Sequence, residues 1–265
     1  MAAKIYITGS GGIVGRHALK VLAELAPGAE VIRNTADLTN LSETAAAIAA
    51  AGPLDLVIHL AAMVPVAAVN ADPARAYAVN AGGTINLLSA LSASPARMLL
   101  CSTSHVYASQ DTPIPESAVT KPVTVYGQSK LMAEQAALEI CAVSGRSLCI
   151  GRLFSIHDPE QTGSYLRPSL EKRFTEADPE ADFELYGADG LRDFLTARAA
   201  ARYLVRLALS DAEGVVNVAS GNPVTVAGFA QSLAPFPLKI TPMGQSNNLV
   251  ADVSRLQHIL GECNA

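Results

Sequence analysis

The chain has 265 residues, half of them apolar and 16% charged, with a formal net charge of −5. That length supports one substantial core with a minor lobe. The weak acidic balance, without a Lys/Arg cluster, gives neither nucleic acid nor an anionic membrane a basic field to bind, so neither is expected as a partner.

Residues 1–3 run almost directly into the first strand, so no signal peptide is expected. The Ala-rich stretch from Thr44 to Val69 is interrupted by Gly52, Pro53, Asp55 and His59, so no membrane span is expected and the predicted location is cytoplasmic. Cys101, Cys141, Cys149 and Cys263 include no Cys-x-x-Cys pair and read as buried free thiols. His17, His59, His157 and His258 show no metal-ligand spacing, and no metal is expected.

The apolar run Lys4-Ile5-Tyr6-Ile7 predicts a first strand. It enters Thr8-Gly9-Ser10-Gly11-Gly12-Ile13-Val14-Gly15 and then a helix from Arg16 to Leu25. In such a strand, turn and helix, Gly9 permits the tight turn, Gly12 lets backbone approach a pyrophosphate, and Gly15 lets helix pack on strand; amides at the helix start attract the phosphate charge. Further strands are predicted at Glu30–Ile32, Leu54–Leu60, Arg97–Cys101 and Ser147–Phe154, with helices around Ala74–Ser92 and at Tyr126–Ser144. This alternation predicts an α/β fold, a Rossmann-type doubly wound parallel sheet with a small C-terminal substrate-binding lobe. The expected division is a dinucleotide-binding domain over residues 1–156, with a returning part at about 187–222, and the lobe over 157–186 and 223–265. Within the helix Tyr126–Ser144, Tyr126 and Lys130 share one face, where the ammonium is expected to lower the phenol pKa.

The Thr-Gly-x-x-Gly-x-x-Gly turn followed by Tyr126-x-x-x-Lys130 resembles the short-chain dehydrogenase/reductase superfamily. Other segments resemble its extended branch, the nucleotide-sugar epimerases, dehydratases and reductases: Asp37-Leu38, His59-Leu60-Ala61-Ala62, Asn80-Ala81-Gly82-Gly83-Thr84-Ile85-Asn86-Leu87-Leu88, Cys101-Ser102-Thr103-Ser104-His105-Val106-Tyr107, Arg152-Leu153-Phe154 and Arg192-Asp193-Phe194. The resemblance spans residues 4 to about 225.

What the resemblance implies is a catalytic set of Thr103, Tyr126 and Lys130: Tyr126 transfers the proton, Lys130 lowers its pKa and meets the nicotinamide ribose, and Thr103 hydrogen-bonds the reacting oxygen. Ser102 and Ser104 are the competing hydroxyls. Implied cofactor contacts are Gly9, Gly12, Ile13, Val14 and Gly15 at the turn, and Arg33, Asp37 and Leu38 after the second strand. Leu60, Ala61, Ala62, Asn80, Ser102 and Phe154 join them, together with Tyr126 and Lys130. Arg192 is the implied holder of the substrate pyrophosphate, a role suited to a guanidinium.

Dehydratases of this branch carry Asp-Glu where this chain has Ser104-His105, so elimination is disfavoured; His105 stands as an acid/base or a substrate contact. The second strand ends Ile32-Arg33-Asn34 without the acid that favours NAD, and Arg33 suits a 2′-phosphate, so NADP is favoured over NAD. The expected activity is NADPH-dependent reduction of a 4-keto nucleotide sugar, with or without epimerisation. The alternatives are an NAD-dependent 4-epimerase and, from another class, a non-catalytic dinucleotide-sensing protein. A homodimer through helices at about 78–92 and 126–143 is implied by the family.

Overall fold

The computed structural model describes residues 2–64 and 66–261. Its first half runs β1 (Lys4–Thr8), α1 (Ile13–Leu25), β2 (Glu30–Arg33), α2 (Leu41–Ala51) and β3 (Leu56–His59). Two short helices follow, α3 (Val66–Ala71) and α4 (Pro73–Tyr77), then a π-helical turn (Ala78–Gly82), α5 (Gly83–Ala90) and β4 (Arg97–Thr103). A single 3-10 turn (Ser104–Val106) and a loop lead to α6 (Val125–Ser144) and β5 (Leu148–Leu153). The second half carries β6 (Ser155–His157), α7 (Leu166–Glu176), β7 (Asp182–Tyr186), β8 (Leu191–Arg192), β9 (Phe194–Thr196), α8 (Ala197–Leu209), β10 (Gly214–Val218), β11 (Val224–Thr225), α9 (Val226–Leu233), β12 (Lys239–Met243) and α10 (Ser254–Leu260).

The main sheet has the order β10-β5-β4-β3-β1-β2, and every pairing in it is parallel. Alternation along the strands sends side chains to two cores. Ile5, Ile7 and Leu99 face α1 and α8 with Val21, Leu22 and Leu204. Tyr6, Met98 and Leu100 face the other layer with Leu87, Ala137 and Cys141. The strand order reverses between β1 and β3, so a crevice opens at their C-terminal ends, where open α/β sheets bind ligands.

A third core, built from Leu170, Phe174, Phe183, Leu185, Val226 and Phe229, belongs to the small lobe. Phe194 stacks on Phe229 there, with centroids 3.9 Å apart. Three details depart from the sequence reading. The helix expected over 74–92 is broken into α4, the π turn and α5. Residues 157–186, over which the sequence reading gives no strand or helix, hold one of each. Leu256 of α10 belongs to the main core beside α8 and β10, although the sequence boundary assigned 223–265 to the lobe. Among the described residues no helix is long and apolar enough to cross a membrane, and no group of His, Cys, Asp or Glu is placed to hold a metal. Cys141 and Cys149 are buried free thiols and Cys101 a half-buried one; Cys263 lies outside the described residues.

Candidate active site

The turn after β1 is built by absence of side chains. Gly9 has φ +69, and a Cβ on it would lie 2.5 Å from the Ala61 nitrogen. A Cβ on Gly15 would lie 2.1 Å from the Gly9 oxygen, so only glycine lets α1 sit this close. Gly12 is the N-cap of α1 and brings no capping side chain, and the first helical turn, which includes Ile13 and Val14, holds no acid. The positive end of the helix dipole therefore stands open to an anion. That cradle fits a dinucleotide pyrophosphate.

Arg33, at the end of β2, donates from Nε to Ser10 Oγ at 3.1 Å, which brings its guanidinium to the rim of the turn. Asp37 is exposed; hydrogen bonds from Thr39, with Arg75 nearby, hold its carboxyl below the usual range. Leu38 is buried beneath it and accepts from Asn86 through its carbonyl. Leu60, Ala61 and Ala62 are half-buried after β3. Asn80 is fully buried with its amide occupied: Nδ2 donates to Met63 O and Ser129 Oγ, and Oδ1 accepts from Met63 N at 2.7 Å. It braces the 60–64 segment instead of offering a free amide. Phe154 is buried against Tyr107, 6.3 Å between ring centroids.

The chemistry-bearing residues meet where β4 ends and α6 begins. Thr124 caps α6 by accepting from Gly127 N at 3.0 Å. A Cβ on Gly127 would stand 2.2 Å from the His105 oxygen, so glycine lets the first turn of α6 press against the 104–106 turn. Tyr126 and Lys130 follow on one helix face and are only 8% and 2% exposed. The Thr103 hydroxyl stands near enough to the Tyr126 phenol to favour its ionised form, and it accepts from His105 N at 3.2 Å. Thr103, and not its neighbours, is thus the hydroxyl beside the phenol; Ser104 and Ser102 are buried, and Ser102 Oγ has no hydrogen-bond partner.

Burial pushes the Tyr126 phenol above its ordinary value, the Cys101 thiol and Tyr165 phenol add to the rise, and Thr103 opposes it. The expected lowering by Lys130 is not found: burial dominates, and the group that opposes the rise is Thr103. Burial likewise lowers Lys130, with Cys101 and Glu134 opposing.

His105 retains solvent contact, yet its ring packs edge-on against Tyr126; close surroundings and then the charge of Arg192 hold the imidazole below its usual pKa. Arg192 is anchored by donating to Leu191 O and Asn247 O and to the Asn247 side chain.

Three neighbours escape the sequence reading. Cys101 shares the Thr103 side of β4, which period-two alternation alone reveals. Glu134, one turn beyond Lys130, pairs bidentately with Arg152, the two side chains 1% and 7% exposed. Its i+4 spacing from Lys130 is the readable signal. Tyr165 comes from the lobe, and nothing in local spacing points to it.

Residues 5–219 match the NAD dependent epimerase/dehydratase family. The GDP-6-deoxy-D-mannose reductase of Pseudomonas aeruginosa is 31% identical over 250 residues, 88% of this chain and 80% of that protein. The dTDP-4-dehydrorhamnose reductase of Mycolicibacterium smegmatis is 39% identical over 142 residues, so the match spans 52% of this chain and 42% of that enzyme's length. The structure of RMD from Pseudomonas aeruginosa complexed with NADPH superposes with a TM-score of 0.86 at 26% identity, covering 98% of this chain and 92% of that one. A UDP-glucose 4-epimerase of Azospirillum brasilense is also similar, 30% identical over 182 residues, 60% of this chain and 51% of that protein. With the glycine cradle, the parallel sheet and this match over most of its length, the chain belongs to the NAD dependent epimerase/dehydratase family.

Proposed function

We propose that the protein is an NADPH-dependent reductase of a 4-keto nucleoside-diphosphate sugar, acting through Thr103, Tyr126 and Lys130. The observation that carries this reading is the convergence of those three side chains at the C-terminal end of β4, nearly closed from water. A non-catalytic dinucleotide sensor has no use for a hydroxyl, a phenol and an ammonium gathered in this way.

Gly9, Gly12, Gly15 and the start of α1 would hold the dinucleotide pyrophosphate, Arg33 a 2′-phosphate, and Lys130 the nicotinamide ribose. A nicotinamide cofactor bound there supplies the hydride. Reduction of a keto carbon to an alcohol also requires a proton on oxygen. Tyr126, a phenol and so protonated at neutral pH, donates it, and Thr103 hydrogen-bonds the same oxygen. Lys130 then stabilises the phenolate left behind. Arg192 binds the sugar's pyrophosphate. The similarity to the two reductases and to the NADPH complex supports this over the 4-epimerase reading.

We also place the protein in the cytoplasm, which suits its free thiols, and propose a homodimer through α5 and α6, where Ile85, Met132, Leu138 and Val143 are exposed. The test is to titrate purified protein with NADPH and NADH and assay GDP- and dTDP-linked 4-keto-6-deoxy sugars. Tight NADPH binding with turnover supports the reductase; stoichiometric NAD retained through purification would assign the epimerase.

A further inference from the structure

His59 sits at the end of β3, 1% exposed, midway between the glycine turn and α6. Its Nδ1 lies 2.6 Å from Thr8 Oγ1 and its Nε2 3.0 Å from Thr84 Oγ1. The roles along this chain of contacts are fixed by the groups at its ends. The Thr84 hydroxyl donates to Asn80 O at 2.7 Å, so it can only accept from His59, and Nε2 must carry hydrogen. Nδ1 is then a lone pair that accepts from the Thr8 hydroxyl, whose oxygen accepts from Ala61 N at 3.2 Å. The opposite tautomer would strand the Thr8 hydrogen at one end and face a lone pair with the committed Thr84 hydroxyl oxygen at the other. A cationic ring would strand the Thr8 hydrogen as well.

Beyond Thr84 the chain continues through the same residue it holds. Asn80 donates from Nδ2 to Ser129 Oγ at 2.9 Å, and Ser129 donates to the Tyr126 carbonyl at 2.8 Å. At the other end, the Ala61 amide fixed by Thr8 is the backbone against which Gly9 packs without a Cβ. Because the chain ends on the Tyr126 backbone carbonyl and not on its phenol, it carries no proton of the reaction.

We infer that His59 is a positioning residue: a neutral imidazole, protonated on Nε2, whose Thr8 arm fixes the glycine turn and whose Thr84 arm fixes the first turn of α6. One side chain thereby sets the register between the two halves of the site. Burial, and next the nearby Lys130 charge, push the ring pKa down to about 3, which agrees with a ring that stays neutral. The inference rests on the reading of the glycine turn as a dinucleotide site.

Two variants cut the arms separately, because an Asn side chain reaches only the Nδ1 position and a Gln only the Nε2 position. His59→Asn keeps an acceptor for Thr8, and His59→Gln keeps a donor for Thr84. Loss of one buried hydrogen bond corresponds to roughly tenfold in an equilibrium constant. The expected result for His59→Asn is NADPH affinity close to wild type with faster amide hydrogen exchange over residues 126–130. For His59→Gln it is NADPH affinity weakened roughly tenfold, with exchange over 126–130 preserved. Equal losses in both readouts from both variants would overturn the inference and leave a packing role only. Nitrogen NMR of the imidazole in the unmodified protein decides the matter even if neither variant folds: a neutral Nε2–H ring at pH 7 is expected, and an Nδ1–H or cationic ring contradicts it. Failure of the wild type to bind either dinucleotide would defeat the reading of the turn, while the NMR result would still decide the state of His59.

Discussion

The His105 ring meets the Tyr126 ring edge-on, with centroids 5.7 Å apart and planes at 69°. This contact exists because Gly127 lets α6 press on the backbone of His105 itself. The ring pKa is held below its usual value, so His105 is neutral at pH 7 and suited to hydrogen-bonding a sugar hydroxyl. His105→Phe keeps the aromatic contact and removes that bond; kcat/KM is expected to fall roughly tenfold, mainly through KM. A fall in kcat of about 10² or more would instead assign His105 to proton transfer.

The glycines of the turn are not equivalent. Gly15→Ala drives a methyl into the Gly9 carbonyl and is expected to abolish NADPH binding, whereas a Cβ on Gly11 meets nothing within 4 Å and Gly11→Ala should leave binding intact. Titration of both variants by cofactor fluorescence checks this, and equal behaviour of the two would contradict the cradle.

Glu134 and Arg152 tie the active-site helix to β5 in the interior, with Arg152 also donating to the Tyr107 hydroxyl at 2.8 Å. Glu134→Ala leaves a buried guanidinium without its counter-charge, at a cost of about 3–5 kcal/mol in unfolding free energy. Urea denaturation measures it; a change near zero would mean that water replaces the carboxylate.

Acid stability depends on His59 in a defined direction. The unfolded side chain titrates near 6.5 and the folded one is pushed down to about 3, so between these values the unfolded chain binds the extra proton. The contribution is complete above pH 6.5 and is lost as pH falls towards 3, by about 1.4 kcal/mol per pH unit. Between pH 6.5 and 5 the wild type should lose about 2 kcal/mol more than His59→Gln in unfolding experiments. Parallel pH profiles for the two proteins would show that the folded ring titrates normally.

How much of this was legible beforehand follows from where the signals lie. The strands of the main sheet and α6 announce themselves through apolar runs and helical spacing, and the glycine turn through its local pattern. The lobe does not: α7 carries Arg167, Glu171, Lys172 and Arg173 around only Leu170 and Phe174 as buried anchors, too polar for its periodicity to stand out. The segment holding Asn80 was readable as a motif, but its π-helical turn was not, because helical periodicity does not distinguish it from the flanking α-helix. In the site, Tyr126 and Lys130 share a helix and were readable together, whereas Tyr165 and the Asn247 that grips Arg192 arrive from distant loops. The rise in the Tyr126 pKa was also hidden, because spacing reveals a neighbouring ammonium and says nothing of the water that burial removes.

The central claim is that Tyr126 is the proton donor in a hydride-transfer site. Single-turnover oxidation of NADPH by a GDP- or dTDP-linked 4-keto-6-deoxy sugar, measured for wild type and Tyr126→Phe, tests it most directly. The expected result is unchanged NADPH affinity in the variant with a rate reduced by about 10² or more. An equal rate in both proteins would contradict the claim.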